Sequence, residues 1–161
     1  MLIPVLKNKK IYLISIQSYG KRKEKKIVEL SDNYDVNVDY KYDYMIAFDL
    51  ESILQKMEQK VGEKLKYVSR HIPVSVSISS NVAGFNEEEY ILSKNPRDLT
   101  KLMFEYFDKI ALKAKELMFN KMKPLLDCLQ EKDKIEVESY CSVIPIVGFN
   151  SGFYDINLLC N

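Results

Sequence analysis

The sequence predicts an α/β domain built on a mixed sheet, and three observations carry that prediction. An apolar stretch, Tyr44-Met45-Ile46-Ala47-Phe48-Asp49-Leu50-Glu51-Ser52, ends by presenting two acids one residue apart. A long amphipathic pattern follows from residue 95 to about residue 121, and a second apolar run occupies residues 141–149. Strand, long helix and strand in that order favour a right-handed crossover, which lays the later strand parallel to the earlier one. The expected neighbours are residues 143–149 and 45–49.

Size and composition set the frame for these elements. A chain of 161 residues is one domain long and buries about two-thirds of its unfolded surface. Hydrophobic residues make up 47% and charged residues 29%, which is globular usage and excludes a disordered or collagen-like chain. The formal net charge of +1 gives no global field for nucleic acid, so binding of a polymer must come from a local groove. Cys128, Cys141 and Cys160 are odd in number and contain no C-x-x-C pair. That usage fits a reducing, intracellular compartment and argues against a disulfide framework or a zinc knuckle. No stretch approaches the roughly 20 apolar residues of a membrane span. The opening Met1-Leu2-Ile3-Pro4-Val5-Leu6 is too short for a signal-peptide core, and Lys7, Lys9 and Lys10 follow it rather than precede it. The expectation is an intracellular protein, neither secreted nor bound to membrane.

Taken in order, residues 10–17 are rich in β-branched and aromatic types and read as a strand bounded by Gly20. The basic run Lys21-Arg22-Lys23-Glu24-Lys25-Lys26 reads as a solvated loop tip, and residues 27–30 as the returning strand of a hairpin. Residues 31–43 read as loop and edge strand, so residues 1–43 form a hairpin and loop segment ahead of a second unit, residues 44–161. After the acid pair, residues 53–66 are polar with few apolar anchors and read as a short helix or a loop. Val68, Ile72, Val74, Val76 and Ile78 then fall on even positions and Ser69, His71, Ser75, Ser77 and Ser79 on odd ones, the period of a half-buried strand. Pro73 marks an irregularity in it. Residues 81–86 turn the chain into a short strand at residues 90–93, which completes an antiparallel meander.

Asn95-Pro96-Arg97-Asp98 is a helix start: an N-cap acceptor, a proline at the first helical position and an acid that favours the dipole. Leu99, Leu102, Met103, Tyr106, Phe107, Ile110, Ala114, Leu117 and Met118 recur at helical spacing and form one apolar stripe. Pro124 kinks or stops this helix. Residues 131–138 are charged and read as a surface loop. The continuous apolar run that follows is the form of a strand buried on both faces, and residues 154–159 open a further helix.

Chemistry concentrates at the acid pair. Alternation along a strand puts Asp49 and Glu51 on one face, about 7 Å apart, with Phe48 and Leu50 on the other. Paired carboxylates suit hard divalent cations such as Mg²⁺ and Mn²⁺, and the remaining ligands are expected from residues 144–155. The single histidine, His71, reads as a surface or hydrogen-bonded residue, and the Cys141 and Cys160 thiols as buried and inert. No G-x-S-x-G elbow and no phosphate-cradling G-x-x-x-x-G-K occurs.

Phe48-Asp49-Leu50-Glu51-Ser52 resembles the first exonuclease motif of family B DNA polymerases, and Asn150-Ser151-Gly152-Phe153-Tyr154-Asp155 the second. Ile144-Pro145-Ile146-Val147-Gly148-Phe149-Asn150 is similar to the approach to that second motif in the protein-primed branch of viruses, linear plasmids and mobile elements. The resemblance covers about residues 44–161. It implies a ribonuclease-H-like fold with a flanking helix, truncated after the second motif. It also implies that Asp49, Glu51 and Asp155 hold two Mg²⁺ or Mn²⁺ ions, while Asn150 and Tyr154 grip the 3′ end of single-stranded DNA. The third motif, a Tyr and an Asp on a later helix, has no counterpart in these 161 residues, nor has the polymerase palm. Implied, then, is the leading part of an exonuclease domain, with slow or no hydrolysis unless the remainder of a longer polymerase completes it. The alternative is a non-catalytic module that binds nucleic acid or protein on the same fold, and an unrelated α/β domain is a third reading.

Overall fold

The computed structural model describes residues 16–61 and 65–148. Three helices and four strands follow in the order α1 (Ile16–Asn33), β1 (Ile46–Val61), β2 (Leu65–Ser80), β3 (Glu89–Leu92), α2 (Pro96–Leu126), α3 (Glu131–Cys141) and β4 (Ile146–Gly148). The strands form one mixed sheet in the order β3-β2-β1-β4. β1, β2 and β3 are the antiparallel meander, with Asp49 opposite Ser77 and Ser77 opposite Tyr90. β4 returns parallel to β1, pairing Ile46 with Ile146, Ala47 with Val147 and Phe48 with Gly148. The expected adjacency is therefore present, with α2 and α3 in the crossover.

α2 organises both cores because one stripe runs its full length. Asn95 caps it, its side chain accepting from the Arg97 N–H at 3.1 Å. Leu99, Met103, Phe107, Ile110 and Ala114 pack on Ile46, Phe48, Leu50, Val76 and Ile78 of the sheet. Phe107 meets Phe48 edge-on at 5.7 Å and Phe104 at 5.8 Å, the preferred geometry for aromatic pairs. Further along, Met118, Met122, Leu125 and Leu126 pack with Ile27 and Leu30 of α1 and Val137, Tyr140 and Cys141 of α3. The helix runs past Pro124 to Leu126. A proline so near the C-terminus removes one hydrogen bond from a turn that is about to end, which the packing of Leu125 and Leu126 outweighs.

Between α1 and β1 the extended segment at residues 36–45 lies against this second core. Lys121 of α2 fastens it, its Nζ reaching Asp39 and Asp43 Oδ2 at 2.8 Å each and donating to the Lys41 carbonyl at 2.8 Å. Tyr140 donates its hydroxyl to the Tyr40 carbonyl at 2.8 Å and packs edge-on against Tyr42. Asn81 holds the entry to β1, accepting from the Met45 N–H at 2.9 Å and donating to the Asp43 carbonyl.

Several sequence expectations are corrected. Ile16 and Gln17, the basic run and residues 27–30 belong to α1 rather than to a hairpin, while residues 10–15 lie outside the described residues. Ile27 and Leu30, spaced i and i+3, are both 2% exposed, so a helical stripe short enough to resemble a strand decides the element. Residues 131–138 are helical, not loop: Val137, Tyr140 and Cys141 supply an i, i+3, i+4 anchor that the surrounding charges obscured. Cys141 consequently ends a helix, and the described part of the strand that follows, Ile146–Gly148, is half-buried. Residues 53–61 continue β1 instead of forming a short helix or loop.

The period-two pattern of β2 also breaks at an identifiable place. Glu51 opposes Ser75 but Ser52 opposes Pro73, so β2 carries one extra residue there. An extra residue exchanges the two faces of a strand. Val76 and Ile78 are buried beyond the bulge, whereas Val68, of the same parity before it, lies where the hairpin has run past the helix that covers the sheet and is 65% exposed.

Candidate functional site

The site is built on β1, and the core anchors it. Ile46, Phe48 and Leu50 are buried under α2, which fixes the strand and leaves Ala47, Asp49 and Glu51 on the opposite face. Across the ladder that face continues with Ser79, Ser77 and Ser75, then Tyr90 and Leu92, and on the other side with Val147. None of these side chains is buried. Ala47, Phe48, Asp49, Ser77, Ser79 and Val147 line an open cleft of about 280 Å³, below the usual range for drug-sized ligands but large enough for small hydrated groups.

Asp49 is partly exposed and Glu51 exposed, each facing a serine that offers a small hydroxyl rather than a bulky or charged neighbour. The two carboxylates share the face as the alternation predicts. Among the described residues the last β1–β4 pair is Phe48 with Gly148. Asn150, Tyr154 and Asp155, expected to complete the site, lie outside the described residues, as does the helix expected at residues 154–159. Among the described residues no group of three or more His, Cys, Asp or Glu could hold a metal ion.

The surroundings of the face are asymmetric in charge. At the β3 edge, Glu87, Glu88 and Glu89 precede Tyr90, and a hydrogen bond with Glu88 pushes the Tyr90 hydroxyl above its ordinary pKa. At the opposite end β1 and β2 run on together past Ser52 and Pro73, through Lys56 and Arg70. The sequence already held the signal for the serine row, in its odd-numbered Ser75, Ser77 and Ser79. It gave none for Tyr90 or Leu92, which join the face only through the β2–β3 register.

The remaining reactive groups lie elsewhere. His71 sits opposite Leu54 with its Nδ1 3.0 Å from Ser52 Oγ. Cys141 is a buried free thiol pushed up to about 11 by desolvation, so it stays protonated near neutrality. Cys128 is free and exposed. Among the described residues no helix is long and apolar enough to cross a membrane.

Compared with family models, curated proteins and solved structures, the chain has no match.

Proposed function

We propose that this chain is the leading part of a 3′-5′ exonuclease domain of ribonuclease-H-like type, from a protein-primed family B DNA polymerase, acting on single-stranded DNA ends. The observation that carries this reading is the placement of Asp49 and Glu51 on the open face of a strand whose parallel neighbour, β4, leads in sequence into Asn150 to Asp155. The strand order β3-β2-β1-β4, with one parallel pair closing a meander, supports it as well.

The donor chemistry fits a hard cation, since carboxylate and hydroxyl oxygens are all that the described part of this face offers. Asp49 and Glu51 would hold Mg²⁺ or Mn²⁺ together with Asp155. Two such ions supply Lewis acidity and an ionised water for phosphodiester hydrolysis. The protein's own share is positioning. Phe48 and Leu50, locked under α2, fix the backbone that carries both carboxylates. Asp155 follows Gly148 by seven residues, within chain reach of Asp49 at about 3.5 Å per residue. Asn150 would hydrogen-bond the terminal nucleotide and Tyr154 stack on it, the usual mode for single strands.

A second reading, a module that binds nucleic acid or protein without catalysis, is favoured by one observation: among the described residues only two acids share the face. Mn²⁺ titration, together with 3′ trimming of a 5′-labelled single strand, separates the two. The hydrolytic reading expects Mn²⁺ binding that Asp49→Asn weakens by at least about ten-fold with no change in thermal midpoint, and any slow shortening to be lost with it. If the native chain shows neither Mn²⁺ binding nor shortening, the hydrolytic reading fails and the binding module stands.

A further inference from the structure

Among the described residues β3 (Glu89–Leu92) is the outermost strand on its side of the sheet, and β2 alone pairs with it, through residues 75–78. Its other edge has no backbone partner among them. Natural sheets blunt such an edge with lysine, proline or a bulge, but residues 87–92, Glu-Glu-Glu-Tyr-Ile-Leu, hold neither residue and keep a regular register with β2. Apolar side chains gather there instead. Leu92, at 76%, is the most exposed large apolar side chain among the described residues, and Tyr90 is 62% exposed. Both stand on the open face, while Leu102 of α2, 44% exposed, borders the same edge from below. Its placement follows from Tyr106, one helical turn on, which packs edge-on against Phe85 at 5.8 Å and feels the charges of Glu87 and Glu89. The β1–β2 hairpin, which continues past Ser52 and Pro73 as a two-stranded ribbon, lies one strand in from this edge and leaves it open. An open edge flanked by exposed apolar groups marks a surface that associates.

The edge is complementary to itself. A two-fold axis perpendicular to the sheet at Ile91 sets two copies of β3 antiparallel, with Tyr90 facing the partner's Leu92 and Glu88 facing the partner's Lys94, each pair occurring twice. An aromatic faces an aliphatic and an acid faces a base, and both kinds of cross-strand pair are favourable. The Ser93 N–H donates to the Val74 carbonyl at 3.0 Å, which carries the ladder to the residue before Lys94. Lys94 is exposed and has no ion-pair partner among the described residues. Glu88 takes a hydrogen bond from the Tyr90 hydroxyl of its own chain, and its carboxylate keeps lone pairs for an ammonium. Other registers fit worse. An axis at Tyr90 sets Glu88 against Leu92 and Glu89 against Ile91, and an axis at Leu92 sets Glu88 against Pro96, which has no N–H to offer.

We propose that β3 pairs with β3 of a second copy of this chain, antiparallel about Ile91, and joins two sheets into one. The contact uses the same patch on both copies, so it closes at a dimer. Asp49 and Glu51 lie two strands inside the edge and stay uncovered, and the two acid pairs face the same side of the joined sheet, about 25 Å apart at about 4.8 Å per strand. Nothing in the pairing depends on the exonuclease reading. Residues 88–94 of each copy make less than a standard interface, so the dimer is weak, with a Kd of roughly 10–100 µM.

The test is sedimentation velocity of the full chain from about 5 to about 500 µM, over which the sedimentation coefficient should rise from that of a monomer to that of a dimer. Glu88→Lys and Lys94→Glu each set like charges opposite one another twice, and each should weaken dimerisation by at least about ten-fold. Combined as E88K/K94E they restore opposite charges, and dimerisation should return to within about three-fold of the native chain. Within one chain the two residues stand about 20 Å apart along the strand, so only a contact between copies gives this rescue. Leu92→Ser, at an exposed position, should abolish the dimer and leave the thermal midpoint of the dilute chain unchanged. A native chain that stays monomeric at every concentration would overturn the pairing and leave the edge to a strand from a different protein. A dimer that E88K, K94E or L92S leaves intact, or that the double variant fails to restore, would overturn it by placing the contact elsewhere.

Discussion

Two halves of one hairpin differ more than their shared secondary structure implies. From Ile46 to Phe48, β1 has a neighbour on either side, and from Ile46 to Leu50 a helix lies beneath it, with Ile46, Phe48 and Leu50 buried. From Ser52 onward, among the described residues, the same strand has only β2 beside it, and none of its described side chains is buried. Hydrogen bonding along the ladder is common to both halves. What separates them is apolar burial, at about 25 cal/mol per Å² the dominant favourable term in folding. A strand pair can therefore be continuous while its stability is confined to one end.

The largest expected effect sharpens that contrast at its buried end. Phe107 is 4% exposed and makes ring contacts to both Phe48 and Phe104. Phe107→Ala should cost about 3–5 kcal/mol, the sum of lost transfer energy and a cavity beneath β1. Urea unfolding followed by circular dichroism reads it directly. A cost below about 1 kcal/mol would mean that the helix does not hold the sheet face.

Next comes the clamp that joins α2 to the segment ahead of β1. Lys121→Ala removes two ion pairs and a carbonyl contact from a side chain 18% exposed. The carboxylates are themselves 63% and 56% exposed, so solvent screening holds the expected loss to about 1–2 kcal/mol. Its pH dependence follows from the shifts. Burial lowers the Lys121 pKa, but hydrogen bonds to Asp39 and Asp43 outweigh it and leave the group above its ordinary 10.5. A raised value means stability that is complete below 10.5 and lost as pH rises through the folded value. The Lys121 hydrogen bond holds Asp39 below its ordinary 3.8, so that contribution is present above 3.8 and lost as pH falls further. The difference between native and variant should form a plateau between these limits and shrink outside both. A difference that declines steadily across the plateau would place the coupling elsewhere.

How much of this was legible in the sequence depended on whether the pattern was local. Asn95, Pro96 and the stripe from Leu99 to Met118 act within one helix, and they read correctly. So did the carboxylate pair, because alternation along a strand needs no tertiary knowledge. α1 and α3 were missed for a common reason: among the described side chains each buries only two or three, Ile27 and Leu30 or Val137, Tyr140 and Cys141, among many charges. The bulge at Pro73 was signalled as an irregularity, but its consequence was not. Val68 lies where the hairpin has run past the helix that covers the sheet, and no count of apolar residues at even positions can register that. The ribbon escaped notice because residues 53–66 lack the buried alternation by which strands are recognised. The open face was half legible, since Tyr90 and Leu92 reach it through pairings between distant residues.

A smaller effect tests the local reading by itself. Asn95→Ala removes the side-chain acceptor at the α2 N-terminus and should cost about 1 kcal/mol, and Asn95→Asp should restore most of it. If Asn95→Ala proved neutral in the same unfolding measurement, Ser93, whose hydroxyl donates to the Asn95 carbonyl and accepts its N–H, would be the residue that fixes the helix start.

The smallest effect belongs to the ribbon. Val68 is 65% exposed, so Val68→Ala should change stability by less than about 0.5 kcal/mol despite shortening a large apolar side chain on a strand. The informative comparison is with Val76→Ala in the same strand, where the side chain is fully buried and the loss should reach about 2 kcal/mol. Amide exchange offers the matching local measure. Protection should be strong at Phe48 and Leu50, set by global unfolding, and far weaker from Ile53 to Lys56, where the ribbon opens without disturbing the core. Equal protection along β1 would mean that the ribbon is held by contacts beyond its own ladder, and the two halves would then be one cooperative unit.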